Sequence, residues 1–70
     1  MMNYDYLDQV IREVKDNNFD KYDVLSTGQR LYVILSSNRF DLLEEEGTTI
    51  AQALKFLETS AIDEIWKRHA

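Results

Sequence analysis

The sequence has no cysteine, no proline and only one histidine, His69. A chain without cysteine forms neither disulfides nor thiolate metal sites, and it fits a reducing compartment. One imidazole cannot supply a histidine pair for a metal, and the acidic residues do not follow EF-hand spacing. His69 stands next to the end of the sequence, where helices fray, which argues against a catalytic role. We therefore expect no enzymatic activity, no catalytic residue, no cofactor and no metal.

Long hydrophobic runs are also missing. No apolar stretch approaches the length of about 20 residues that a membrane-spanning helix needs. Residues 1–5 contain neither the basic region nor the apolar region of a signal peptide. A length of 70 residues corresponds to one domain, 1–70. We expect a single cytoplasmic domain with no membrane partner.

Basic residues are scarce. Eight Lys and Arg stand against thirteen Asp and Glu, which gives a formal net charge of −5 and a pI of about 4.6. Such a charge opposes non-specific attraction to nucleic acids and to anionic membranes, which requires clustered cations. The composition therefore favours a protein partner over direct nucleic-acid binding.

What the sequence does contain is a set of helix-start signals before apolar stretches: Ser26-x-x-Gln29, Thr49-x-x-Gln52 and, in a weaker form, Ser60-x-x-Asp63. In a capping box the hydroxyl of the N-cap residue accepts a hydrogen bond from the amide of the third helical residue. The side chain of that third residue in turn accepts a hydrogen bond from the N-cap amide. Together with Asn3, a good N-cap residue, these signals predict short helices along the chain. Their approximate bounds are residues 3–16, 27–37, 40–46, 50–58 and 61–69.

The stretch Leu31–Leu35 is ambiguous, because its β-branched and aromatic residues favour a strand. Two observations favour a helix: the Ser26 capping box precedes it, and no second strand-like segment exists to pair with it. A short helical turn can also form in the connection 19–25. The pattern predicts an all-α protein, a compact bundle of four to five short helices with the helix 27–37 at its centre.

Helical spacing predicts which residues of the later helices point inward. The predicted inward positions are Ile50, Ala53, Leu54 and Leu57 in one helix, and Ile62, Ile65, Trp66 and His69 in the next. Tyr6, Val33 and Phe56, together with Tyr32, do not fit the inward stripes. Since aromatic residues outside a core are typical interface anchors, we expect Tyr6, Val33 and Phe56 to contact a partner.

An acidic cluster follows the central helix, formed by Asp41, Glu44, Glu45 and Glu46. Its carboxylates either form an ordinary solvated surface or imitate the phosphates of a nucleic acid toward a basic partner. We include these four residues among the expected partner contacts.

Three functions remain open on the sequence alone. The leading hypothesis is a non-enzymatic interaction protein that binds a larger protein, one that handles nucleic acid, and inhibits or modulates it. The second is a helix-turn-helix DNA-binding regulator built from residues 49–66, with Lys55, Lys67 and Arg68 as its cations. Against it, Asp63 and Glu64 stand where the second helix would meet DNA. The third is a self-associating helical module, such as a homodimer.

Three stretches carry a family resemblance: residues 25–33, LSTGQRLYV, residues 38–43, NRFDLL, and residues 49–53, TIAQA. Over about half of its length the chain resembles small uncharacterised bacterial and phage accessory proteins. No function is associated with that family, so the resemblance implies none. In size, acidity and lack of catalytic residues the chain is also similar to phage-encoded inhibitors such as anti-CRISPR proteins, although no motif supports that likeness.

Overall fold

The computed structural model describes residues 2–70 and contains five α-helices and one short 3₁₀ helix. The elements are α1 (Tyr4–Lys15), the 3₁₀ helix (Tyr22–Val24), α2 (Thr27–Ser37), α3 (Asp41–Glu45), α4 (Ile50–Phe56) and α5 (Thr59–His69). No strand occurs in residues 2–70. The all-α prediction is therefore confirmed, and the ambiguous stretch Leu31–Leu35 lies inside α2.

Two predicted capping boxes and one predicted N-cap are present. The amides of Gln29 and Gln52 donate to the hydroxyls of Ser26 and Thr49, and both Gln side chains accept from the cap amides. At the start of α1, the Tyr6 amide donates to Asn3 Oδ1 at 3.2 Å. These bonds satisfy amides that the first helical turn leaves free, so the starts of α1, α2 and α4 are determined locally.

The third predicted helix start, at Ser60, is wrong. Helix α5 begins at Thr59, and its N-cap residue Glu58 makes no side-chain capping bond. Leu57 and Ala61 are both buried, so the backbone turns into helix directly after Leu57. The Glu58 carbonyl then accepts from the Ala61 amide, which leaves Ser60 inside the first turn.

Residues with positive φ end three of the helices. Asn17 follows α1 with φ 62°, Asn38 follows α2 with φ 61°, and Gly47 follows α3 with φ 68°. Asparagine and glycine enter the left-handed region at low cost, so the backbone can leave the helix at these positions.

Helix α2 lies at the centre of the molecule, as predicted. Its four consecutive residues Leu31, Tyr32, Val33 and Ile34 are all buried, because α1, α3 and α5 pack around it. The expectation that Val33 points out of the core is therefore wrong, since its side chain is 0% exposed. Tyr32 was also expected to lie outside the inward stripes, and its side chain is likewise 0% exposed. Predicting burial from helical spacing assumes that each helix has one buried face. A helix that packs against three others has more than one buried face, so this assumption fails for α2.

The opposite error concerns Ile50, Leu54 and Trp66, which were expected to point inward. Ile50 and Leu54 are about half-exposed, and Trp66 is 70% exposed. Within α4 only Ala53 is buried, and within α5 only Ala61 is. Both helices thus lie on the outside of the bundle and contribute a narrower buried stripe than their apolar content predicts.

The helices in residues 2–70 are all too short or too polar to cross a lipid bilayer.

Candidate interaction surface

Large apolar side chains remain exposed on α4 and α5. Phe56 is 60% exposed at the end of α4, and Ile50 and Leu54 are about half-exposed along the same helix. Since Ile50 and Leu54 are four residues apart, they lie on one side of α4. Trp66 is exposed on α5. Phe56 was predicted to be accessible to a partner, and its exposure is consistent with that role.

Phe56 also borders an open cavity of about 500 Å³, which we call the Phe56 cavity. The cavity lies among the starts of α1, α2 and α5, and its apolar lining includes Met2, Tyr4 and Ala61. The Phe56 ring passes beside Gly28, where a Cβ atom would stand 3.5 Å from Cε1. The exposed ring and the cavity therefore form one continuous apolar feature.

The structure does not bring the other two predicted apolar contacts to this place. Tyr6 is 38% exposed on α1 but does not line the Phe56 cavity. Val33 is enclosed in the core and therefore has no surface to offer a partner. Of the three residues, Phe56 is the one with both exposure and a neighbouring cavity.

The predicted acidic contacts divide into two kinds. Glu46 faces the molecule: Tyr22 donates its hydroxyl to Glu46 Oε1 at 3.2 Å, and Arg30 Nη1 lies 3.3 Å from the same oxygen. Burial, followed by the negative charge of Glu46, raises the pKa of Tyr22. Glu46 is therefore mainly a structural carboxylate, while Glu44 and Glu45 are exposed and have no ion pair among the described residues.

Asp41 is exposed but already paired. The Arg39 guanidinium binds both carboxylate oxygens, with Nε 3.1 Å from Oδ1 and Nη2 3.1 Å from Oδ2. These hydrogen bonds hold the pKa of Asp41 below its usual value. Arg39 Nη1 also donates to the Val14 carbonyl at 2.9 Å, so the pair ties the start of α3 to the end of α1.

Asp41 and Glu45 border a second, shallower depression of about 370 Å³, which we call the α3 groove. Its lining consists of Phe19, Tyr22, Asp23, Arg39, Asp41, Leu42 and Glu45. The groove thus combines an apolar floor with several carboxylates, and it is separate from the Phe56 cavity.

The cations expected to contact DNA are not equally available. Arg68 contacts three carboxylates, those of Glu64 at 2.7 Å, Asp8 at 2.7 Å and Asp5 at 3.1 Å. His69 Nε2 lies 3.1 Å from Asp8 Oδ1. We call these five residues the α1–α5 clasp. The carboxylates raise the pKa of Arg68 and use its hydrogen-bonding capacity within the molecule.

Lys55 and Lys67 are exposed and make no ion pair among the described residues. The connection between α4 and α5 consists of Leu57 and Glu58 alone, and Asp63 is exposed near the start of α5. The tight connection is typical of a helix-turn-helix, whereas the acidic residues around it would repel phosphates.

The sequence pattern did not single out Ile50, Leu54 and Trp66 as accessible, because helical spacing places all three on the predicted inward stripes. For Ile50 and Leu54 the reason is that α4 is shorter in the structure, Ile50–Phe56, than the predicted helix over 50–58. A helix of seven residues makes about two turns, so it offers few positions to the core, and Ala53 with the following Leu57 already fills them.

Comparison of the chain with protein-family models, curated proteins and solved structures finds no match. Within residues 2–70, no three His, Asp or Glu side chains converge in a way that could hold a metal ion.

Proposed function

We propose that this protein is a small, acidic, non-enzymatic interaction protein that binds a larger protein and inhibits or modulates it. The observation that carries the proposal is the exposure of large apolar side chains on the two outermost helices, with Phe56 and Trp66 the most exposed aromatics. Buried aromatic residues supply much of the binding free energy at protein interfaces.

The energetic argument concerns α4. Fully burying a Leu, Ile or Phe side chain contributes about 1.5–3 kcal/mol. Ile50 and Leu54 are about half-exposed and Phe56 is more exposed still, so covering them with a partner would recover part of that free energy. A chain of 70 residues gains little stability from its own core, which makes burial against a partner favourable for the chain as a whole.

The charge of the chain suggests the kind of partner. Because the chain has a formal net charge of −5, it attracts a basic protein surface more strongly than an acidic one. Proteins that handle nucleic acids carry such surfaces, so we propose one of them as the partner, with Asp41, Glu44 and Glu45 as acidic contacts. The proposal includes a cytoplasmic location and an origin in a phage or mobile element.

A helix-turn-helix regulator is the second candidate, favoured by the two-residue connection between α4 and α5. We rank it lower because Arg68 already forms ion pairs with three carboxylates, and because Asp63, near the start of the second helix, would repel phosphates. DNA binding by the purified protein that weakens as salt increases would reverse this ranking.

The test is an affinity pull-down from host lysate, with and without nuclease, using the wild-type protein and Phe56→Gln. The matched control is Val24→Gln, because Val24 is 79% exposed on the 3₁₀ helix and does not line the Phe56 cavity. We expect one dominant protein that survives nuclease, is retained by the control and is strongly reduced with Phe56→Gln. Circular dichroism verifies that both variants are folded.

If the partner is no longer recovered after nuclease treatment, direct protein binding is contradicted and association through nucleic acid is favoured. Equal recovery with Phe56→Gln and the wild type would show that the partner binds elsewhere.

A further inference from the structure

Tyr4 belongs both to the wall of the Phe56 cavity and to the contacts of the α1–α5 clasp. It is the first residue of α1 and lines the cavity. Its ring centroid lies 5.3 Å from that of the buried Tyr32, and the Arg68 guanidinium lies over its ring, 5.8 Å from the centroid. A cation at this distance from an aromatic ring attracts it. The Tyr4 ring therefore connects the cavity to the guanidinium of the clasp.

The clasp holds Arg68 in that position. The guanidinium pairs with Asp8 at 2.7 Å and with Asp5 at 3.1 Å, both on α1, and with Glu64 on α5 at 2.7 Å. Asp8 stands one helical turn after Tyr4, so the carboxylate and the ring lie on one side of α1. A guanidinium can pair with carboxylates and stack on a ring at the same time. Arg68 thus fixes the Tyr4 ring and the spacing of the two helices together.

The cavity has walls on three segments, and the clasp joins two of them. Met2 lies at the start of α1, Gly28 at the start of α2 and Ala61 in the first turn of α5. The space is narrow at Gly28, where an added Cβ would stand 3.6 Å from the Met2 methyl carbon and 3.5 Å from the Phe56 ring. Arg68 does not line the cavity. A change at Arg68 therefore reaches the cavity through the wall residues of α1 and α5.

We propose that Arg68 is a positioning residue for the Phe56 cavity, and that the α1–α5 clasp controls the shape of this binding surface. When the clasp is intact, Tyr4 and the start of α5 are held at the spacing that forms the cavity. When the ion pairs of Arg68 break, the Tyr4 ring is released and the cavity wall changes. The proposal rests on the proposed function, because it gives the clasp control over the place where the partner binds.

The test is NMR spectroscopy of the full chain, with the Gly28 amide and the Met2 methyl group as reporters at the cavity. Ring currents of the neighbouring aromatic side chains affect both signals, so the signals report the positions of the rings. Arg68→Gln should shift both signals several-fold more than Lys67→Gln does. Lys67→Gln is the matched control, because it removes the same charge from the adjacent, exposed residue. Equal shifts in the two variants would overturn the proposal.

A second pair of variants tests whether the effect passes through Tyr4. In a Tyr4→Phe background, which keeps the ring, Arg68→Gln should still shift the two cavity signals. In a Tyr4→Leu background, which removes the ring, the additional shift caused by Arg68→Gln should be largely lost. An undiminished shift with Tyr4→Leu would overturn the proposal, because Arg68 would then act without the ring.

Salt provides a measurement that does not depend on the folding of Tyr4→Leu. High salt screens exposed ion pairs, and the Arg68 side chain is 33% exposed. In the wild type, NaCl should therefore shift the Gly28 and Met2 signals in the same direction as Arg68→Gln does. In Arg68→Gln itself, the shift that salt causes should be much smaller. A salt-induced shift of the same size in this variant would overturn the proposal.

Failure of this proposal can be distinguished from failure of the proposed function, because none of the NMR measurements needs a partner. If the pull-down depends on Phe56 but Arg68→Gln leaves both cavity signals unshifted, the interaction function stands and the role given to Arg68 is wrong. If Arg68→Gln shifts the signals through Tyr4 but no protein is recovered, Arg68 positions the cavity and the proposed function is wrong.

Discussion

Tyr32 is the largest fully buried side chain in the described part of the chain. Its ring packs between Tyr4, at a centroid distance of 5.3 Å, and His69, at 6.2 Å. Its hydroxyl is buried, and although Ser36 is a neighbour, neither hydroxyl makes a hydrogen bond of good geometry. Burial, with a contribution from the charge of Asp8, raises the pKa of Tyr32 to about 12. An unpaired buried hydroxyl costs free energy, so the aromatic ring is what Tyr32 contributes to stability.

The variant Tyr32→Phe should be as stable as the wild type at pH 7, or more stable, because it removes a buried polar group without a partner. The wild type should lose stability between pH 10 and 12. In that range the unfolded chain releases the Tyr32 proton while the folded chain retains it, so deprotonation favours unfolding. The variant Tyr32→Phe should lose less stability than the wild type over the same pH range. Urea unfolding followed by circular dichroism at pH 7, 10 and 11 measures the difference.

The matched control is Tyr6→Phe, which removes the hydroxyl of a partly exposed tyrosine. Tyr22 also has a raised pKa, so some loss of stability at high pH should persist in Tyr32→Phe. A loss equal to that of the wild type would contradict the assignment to Tyr32.

Helix α5 is held to α1 largely by polar contacts. Its only fully buried residue is Ala61, and Ile62 and Ile65 are partly buried against the core. The α1–α5 clasp adds ion pairs of Arg68 with Asp5, Asp8 and Glu64, and a polar contact of His69 with Asp8. An element with little buried apolar surface opens at a lower free energy than the rest of the protein. The clasp therefore helps to hold the C-terminal part of α5 against α1.

Replacing Arg68 by Gln should increase amide hydrogen exchange in α5 several-fold while α1 and α2 change little, because local opening needs only the clasp to break. In the wild type, higher salt should also accelerate exchange in α5, and this salt effect should be smaller in Arg68→Gln. Hydrogen–deuterium exchange measured by mass spectrometry at low and high salt provides the data.

Lys67→Gln is the control, since Lys67 is adjacent, exposed and makes no ion pair in residues 2–70. If both variants accelerate exchange equally, general loss of positive charge explains the effect and the clasp does not hold α5.

The whole molecule combines a negative net charge with exposed apolar side chains, and these act in opposite directions on self-association. Apolar exposure at Phe56 and Trp66 favours pairing of two copies, whereas a formal charge of −5 on each copy opposes it. The same charge does not oppose a basic partner. This difference is the reason for preferring a heterologous protein partner over a second copy.

We expect the purified protein to be a monomer of 8.3 kDa at physiological salt, measured by light scattering over a range of concentrations. A dimer would favour the self-associating module. In that case Phe56→Gln indicates whether α4 forms the contact, because the variant would then remain monomeric while Val24→Gln would dimerise.

Much of the fold could be predicted because helix starts and ends depend on nearby atoms. The boxes at Ser26 and Thr49 act within about one turn of backbone, and both were confirmed. Ser60 failed because the burial of Leu57 and Ala61 decided where α5 begins. The candidate site was predicted only in part: Phe56 is exposed, but the Phe56 cavity and the α3 groove form from distant segments.

The sequence by itself determined that the protein is helical, that it has four to five short helices and where α1, α2 and α4 begin. Those properties follow from hydrogen bonds between residues three or four positions apart. Only the tertiary structure decided that Val33 is buried and Trp66 exposed, and that Glu46 pairs inside the molecule while Glu45 does not. Burial and ion pairing depend on which distant elements pack beside a residue, and periodicity along the chain does not contain that information.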